Sequence, residues 1–174
     1  MQNPFTLTFG KSPLEPVERP LQTMEIVDTF TAETVNQQMF IITGVRGSGK
    51  TVMMTEIARR LREREDWVVI ELNPATDLLQ RMLAILNSNK VCAAIIKSAK
   101  IDLSFFGFGV AIEGVPPLTD TEAAIFTILE KLKKQDKRLL ITIDEVTNND
   151  YMKVFAGSFQ IFVRQDLPVF LLAT

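Results

Sequence analysis

One octapeptide, residues 44–51 (GVRGSGKT), carries a complete G-x-x-x-x-G-K-[ST] pattern, and its residue types describe a cradle for a polyphosphate. Gly44, Gly47 and Gly49 permit positive φ angles, which turn successive backbone amides towards a common centre. Those amides, with Val45, Arg46 and Ser48 at the variable positions, join a helix N-terminus to form a nest for the α- and β-phosphates. Lys50 reaches the β- and γ-phosphates as a point charge. The Thr51 hydroxyl is a ligand for Mg²⁺, whose remaining shell stays water and phosphate oxygen. The Arg46 side chain is expected to face solvent or a neighbouring subunit.

A second constellation stands in RLLITIDEV, residues 138–146. An apolar strand delivers Asp144 and Glu145 at its C-terminal tip, the end where ligands of open α/β sheets bind. Asp144 is placed to hold the magnesium shell, and Glu145 to polarise a water for attack on the γ-phosphate. Alone, such a pair reads more readily as the opening of a surface loop; the phosphate cradle upstream is what gives it a chemical role. Thr174, at the end of the last apolar run, points at the γ-phosphate if its strand lies between the other two, and is otherwise a strand-end threonine. Arg19 is a candidate for the base or ribose, against the plainer reading of a solvated arginine.

Composition narrows the chemistry further. The 174 residues contain no histidine and one cysteine, Cys92, which excludes the usual zinc sets, a histidine-based triad and an internal disulfide. The net charge of −2 supplies no global basic field for nucleic acid, although 19 Lys and Arg leave room for a local patch. No Asn-Lys-x-Asp base-reading motif is present, which favours ATP over GTP. There is no secretory signal pattern and no apolar run near the roughly 20 residues a bilayer requires, so a cytoplasmic location is the expectation.

The elements that position these residues follow from periodicity. Prolines at 4, 13, 16 and 20 make residues 1–20 an irregular entry segment, with a helix after it carrying Leu21, Met24, Ile26, Val27 and Phe30. Residues 38–43, 67–72, 138–143 and 167–174 read as strands buried on both faces. Helices are expected over 50–63, with a solvated charged face, and over 77–86 and 151–164. Another, over about 120–135, is N-capped by Thr119 or Asp120. Residues 88–118 form an insertion, with a small β-hairpin expected over 101–113 around Gly107 and Gly109. Phe105, Phe106 and Phe108 would pack that hairpin on the core or on a partner; the basic residues that base stacking needs are missing. Strands alternating with helices imply one α/β domain over 1–174 with a mainly parallel sheet.

GVRGSGKT after an apolar strand, then LLITIDEV and LPVFLLAT, resembles the P-loop ATPases that carry an additional catalytic glutamate. Within these it is most similar to AAA+/STAND-type bacterial and archaeal ATPases related to origin-recognition ATPases. The resemblance implies a three-layer sandwich with sheet order 5-1-4-3-2, ATP and Mg²⁺ as cofactors, and Thr174 as a sensor-like residue. It also implies a fifth strand and a helical lid beyond Thr174, so the chain is expected to be the N-terminal piece of a longer protein. If it is whole, self-association is expected to cover the edge of the P-loop strand.

The function expected is Mg-dependent ATP hydrolysis in a motor or switch module, with Glu145 and Lys50 catalytic and an arginine supplied in trans. Two alternatives stay open: a non-hydrolysing, nucleotide-gated module that contacts proteins or DNA, and a P-loop small-molecule kinase.

Overall fold

Four short, largely apolar runs pair side by side into a sheet. The computed structural model describes residues 20–109 and 111–174; Arg19 lies outside them. In chain order the elements are α1 (Pro20–Thr31), β1 (Met39–Ile41), α2 (Lys50–Arg62), β2 (Trp67–Leu72), α3 (Leu78–Ser88), α4 (Lys90–Ser98), a single 3-10 turn (Ser104–Phe106), α5 (Thr121–Lys133), β3 (Arg138–Ile143), α6 (Asp150–Arg164) and β4 (Val169–Ala173). The four strands are all parallel, in the order β1-β4-β3-β2. That is the 1-4-3-2 portion of the expected order, with β4 between the glycine-loop strand and the acidic strand.

Strand alternation builds the two outer layers. Along β3, Leu139, Ile141 and Ile143 face one side, while Leu140 faces the other. The first side packs on α3, α4, α5 and α6 through residues such as Leu83, Ile125, Leu129, Phe155 and Phe162. On the second side α2 buries Met53, Met54, Ile57, Ala58 and Leu61, at helical spacing, against Trp67, Leu140, Phe170 and Leu172. α1 adds Ile26 and Phe30, and Phe170 lies 5.1 Å from Phe30 and 4.9 Å from Trp67 between ring centroids. The Arg138 guanidinium stacks 5.9 Å from the Trp67 ring and donates to the Phe30 and Ala32 carbonyls, which closes the C-terminal end of α1.

The outward face of α2 is the solvated ladder expected of it. Arg59 and Arg60 both donate to Glu56, and these bonds, Arg59's first, hold the Glu56 carboxyl down to about 2. β1 is an edge strand among the described residues, and Met39 and Ile41 are 45% and 57% exposed. Asp77 and Asp120 cap α3 and α5 by accepting from the amides of Gln80 and Ala123. No helix among the described residues is long and apolar enough to cross a membrane.

The insertion departs from expectation. No strand forms over residues 101–109 or 111–113, so the 3-10 turn and irregular backbone stand where the hairpin was predicted, and α4 precedes them. Its cause is a side chain that alternation cannot reveal. Asp102, 2% exposed, accepts from the amides of Ser104 and Ile112 at 2.9 and 2.7 Å, taking donors that a hairpin ladder would use. The Ser104 hydroxyl, then the Ile112 and Ser104 amides, hold its carboxyl below the usual aspartate range. α4 begins at Asn89, whose Oδ1 accepts from the amides of Val91 and Cys92. It buries Cys92, Ile95 and Ile96, and burial pushes the Cys92 thiol up to about 12.

Candidate functional site

Parallel strands place their C-terminal tips at one end of the sheet, and three of those tips carry the residues singled out by the sequence. β1 leads into the glycine loop, β3 ends before Asp144, and β4 ends before Thr174. Register aligns them: Ile41 and Ile143 both pair with Ala173.

The glycine loop takes its shape from backbone that other residues resist. Gly49, at φ 82°, is the left-handed residue from which α2 starts, and Lys50 is the first residue of that helix. At Gly44 a β-carbon would stand 2.9 Å from Ser48 Oγ, a separation real structures do not show. The Lys50 ammonium lies over the loop and donates to the carbonyls of Gly44 and Val45 at 3.0 and 3.1 Å. Val45 and Arg46 are exposed at the tip of the turn, so Arg46 faces solvent.

The acidic loop meets the start of α2. Thr51 Oγ1 donates to Asp144 Oδ2 at 3.0 Å, joining residues 93 positions apart. The Thr174 hydroxyl donates to Asp144 Oδ1 and accepts from the Glu145 amide at 3.0 Å. The Glu145 amide also contacts Asp144 Oδ1 at 3.1 Å, and the Val146 amide donates to the Thr174 carbonyl at 2.9 Å. Glu145 itself is exposed and sits at φ 54°, in the left-handed region where a non-glycine residue costs roughly 1–2 kcal/mol. Thr51, Asp144, Glu145 and Thr174 are thus gathered into one hydrogen-bonded chain beside the glycine loop.

That chain offers few hard ligands. Among the described residues no cluster of three or more His, Cys, Asp or Glu side chains is arranged to hold a metal unaided. A hydroxyl next to a single carboxylate suits a divalent ion that keeps water or phosphate oxygen in most of its shell. The loop amides, the α2 N-terminus and Lys50 suit an anion of several charges. The residues present therefore fit a magnesium-nucleotide pair.

Sequence reasoning missed two parts of this site. One is the left-handed backbone of Glu145, which no composition signal announces. The other is Asn149, whose Nδ2 donates to the Pro74 carbonyl at 2.8 Å, in the turn after β2. Asparagine followed by a helix was a readable cap signal, but its second bond spans 75 positions.

Comparison with known proteins agrees with this geometry. No curated protein matches the chain. A family described as an ATPase domain predominantly from Archaea matches residues 24–162, from within α1 to near the end of α6, and so takes in both the glycine loop and the acidic loop. The chain belongs to this family of ATPase domains.

Proposed function

We propose that the domain binds Mg-ATP across the tips of β1, β3 and β4 and hydrolyses it, as a switch or motor module of a larger regulatory protein. The single observation that carries the reading is the chain from Thr51 through Asp144 and Thr174 to the Glu145 amide. It puts a carboxylate suited to a metal shell beside a second, freely exposed one, with a lysine and a helix N-terminus next to them.

In this reading residues 44–51 hold the phosphates through backbone amides, and Lys50 leaves its loop carbonyls to lie against the β- and γ-oxygens. Mg²⁺, when bound, neutralises charge on those oxygens. Thr51 and Asp144 are the residues that hold it. Glu145 accepts the proton of a water as that water's oxygen attacks the γ-phosphorus and ADP leaves. Thr174 orients Asp144 and the Glu145 backbone through one hydroxyl. Holding the base by its backbone amide leaves its carboxylate exposed and without a competing ion pair among the described residues.

Phosphate release tests the reading. The chain with Mg-ATP is expected to release phosphate slowly, and Glu145→Gln to bind ATP within about twofold of the parent while losing turnover by about 100-fold or more. Equal turnover by the two proteins removes Glu145 from the mechanism. Tight ATP binding with no release by the parent leaves a nucleotide-gated interaction module.

A further inference from the structure

The acidic loop is fastened at two places, and the second has no part in the chemistry just described. At its start, the amides of Glu145 and Val146 are held by the hydroxyl and carbonyl of Thr174. At its end stands Asn149, and both atoms of its amide are in use. Oδ1 accepts from the Met152 amide at 2.8 Å and caps α6. Nδ2 donates to the Pro74 carbonyl at 2.8 Å and to Thr147 Oγ1 at 3.0 Å. A peptide N–H can only donate and a carbonyl can only accept, so these two partners fix which way the amide faces.

Pro74 offers a firm anchor. Its turn is closed by Asn73, whose Oδ1 accepts from the Ala75 amide at 2.9 Å and whose carbonyl accepts from the Thr76 hydroxyl at 2.9 Å. Asp77 caps α3 immediately afterwards. Residues 145–148 are exposed between the two fastenings. With a left-handed residue at its start, such a segment has little reason to keep one shape unless both ends are pinned.

We propose that Asn149 is a positioning residue for Glu145: its side-chain amide latches the far end of the 145–148 loop to the turn after β2, and so fixes where the Glu145 carboxylate stands. The inference rests on Glu145 being the proton acceptor. A second consequence is that this bond couples the β2–α3 turn to the acidic loop.

Capping and latching are separable by substitution. Asn149→Asp keeps an acceptor for the Met152 amide, with a negative charge at the N-terminus of α6, but has no donor for Pro74. Asn149→Ser is a neutral cap that also lacks the latch. In the full chain, both variants are expected to exchange the amides of residues 145–148 about tenfold faster while α6 stays protected. Both are also expected to lose about tenfold in kcat with KM for ATP within twofold. Exchange unchanged at 145–148 in both variants overturns the latch. Faster exchange with unchanged kcat overturns its link to Glu145. If the parent hydrolyses no ATP, the hydrolytic reading falls, and the exchange measurement still decides whether Asn149 holds the loop.

Discussion

The glycine loop at 44–51 and the acidic loop at 144–149 meet at one end of the sheet, yet they hold their shapes by different means. The first is shaped from within. Gly47 and Gly49 take φ near 80°, and at Gly44, with φ 155°, a β-carbon would stand 2.9 Å from Ser48 Oγ. The second contains no glycine. It places Glu145 at φ 54°, and distant partners hold its two ends, Thr174 at Glu145 through 29 positions and Pro74 at Asn149 through 75. A backbone that glycine makes easy stands next to one that tertiary contacts enforce. The first loop can be pre-formed wherever its two flanking elements are, whereas the second exists only once β2, β3 and β4 have assembled.

That contrast predicts opposite responses to adding and removing a β-carbon. Gly44→Ala drives a methyl against Ser48 Oγ and is expected to weaken ATP binding by about tenfold or more, with a stability loss of roughly 1 kcal/mol. Titration calorimetry and a melting curve check both, and parental affinity would show that the loop has slack the geometry denies it. Glu145→Gly removes a β-carbon from a left-handed residue and is expected to stabilise the fold by about 0.5–1 kcal/mol, roughly 2 °C in Tm. The gain is small because glycine also loosens the unfolded chain. A lower Tm would mean that the Glu145 side chain supports the loop rather than merely being carried by it.

The same contrast explains what the sequence made legible. The glycine loop is a local pattern, so its residues, its strand and its helix were readable together. Strands β2, β3 and β4 were readable because parallel strands covered on both faces are near-continuous apolar runs, as in residues 138–143 and 169–173. β1 came out shorter than the apolar run predicted, at Met39–Ile41, although the Gln38 carbonyl and the Ile42 amide still bond to β4 at its two ends. The roles of Asp144 and Glu145 depended on their sitting at a strand tip, also a local fact. What stayed hidden depends on long-range side-chain bonds: the Asn149 latch, the double use of the Thr174 hydroxyl, and the Asp102 carboxylate that turns residues 101–113 away from a hairpin. Periodicity counts apolar positions; it has no means of weighting one buried carboxylate that satisfies two amides. The insertion was misread for that reason, and α4 was missed because a single residue, Asn89, separates it from α3.

The central claim is that residues 44–51 hold the phosphates of ATP, with Lys50 as the side-chain charge that lies against them and Arg46 turned out to solvent. The direct test is titration of Mg-ATP into the parent chain and into Lys50→Ala. The account predicts micromolar binding by the parent and a loss of about 100-fold or more, near 2.7 kcal/mol, in the variant. Micromolar affinity retained by Lys50→Ala, with its fold intact, would contradict it.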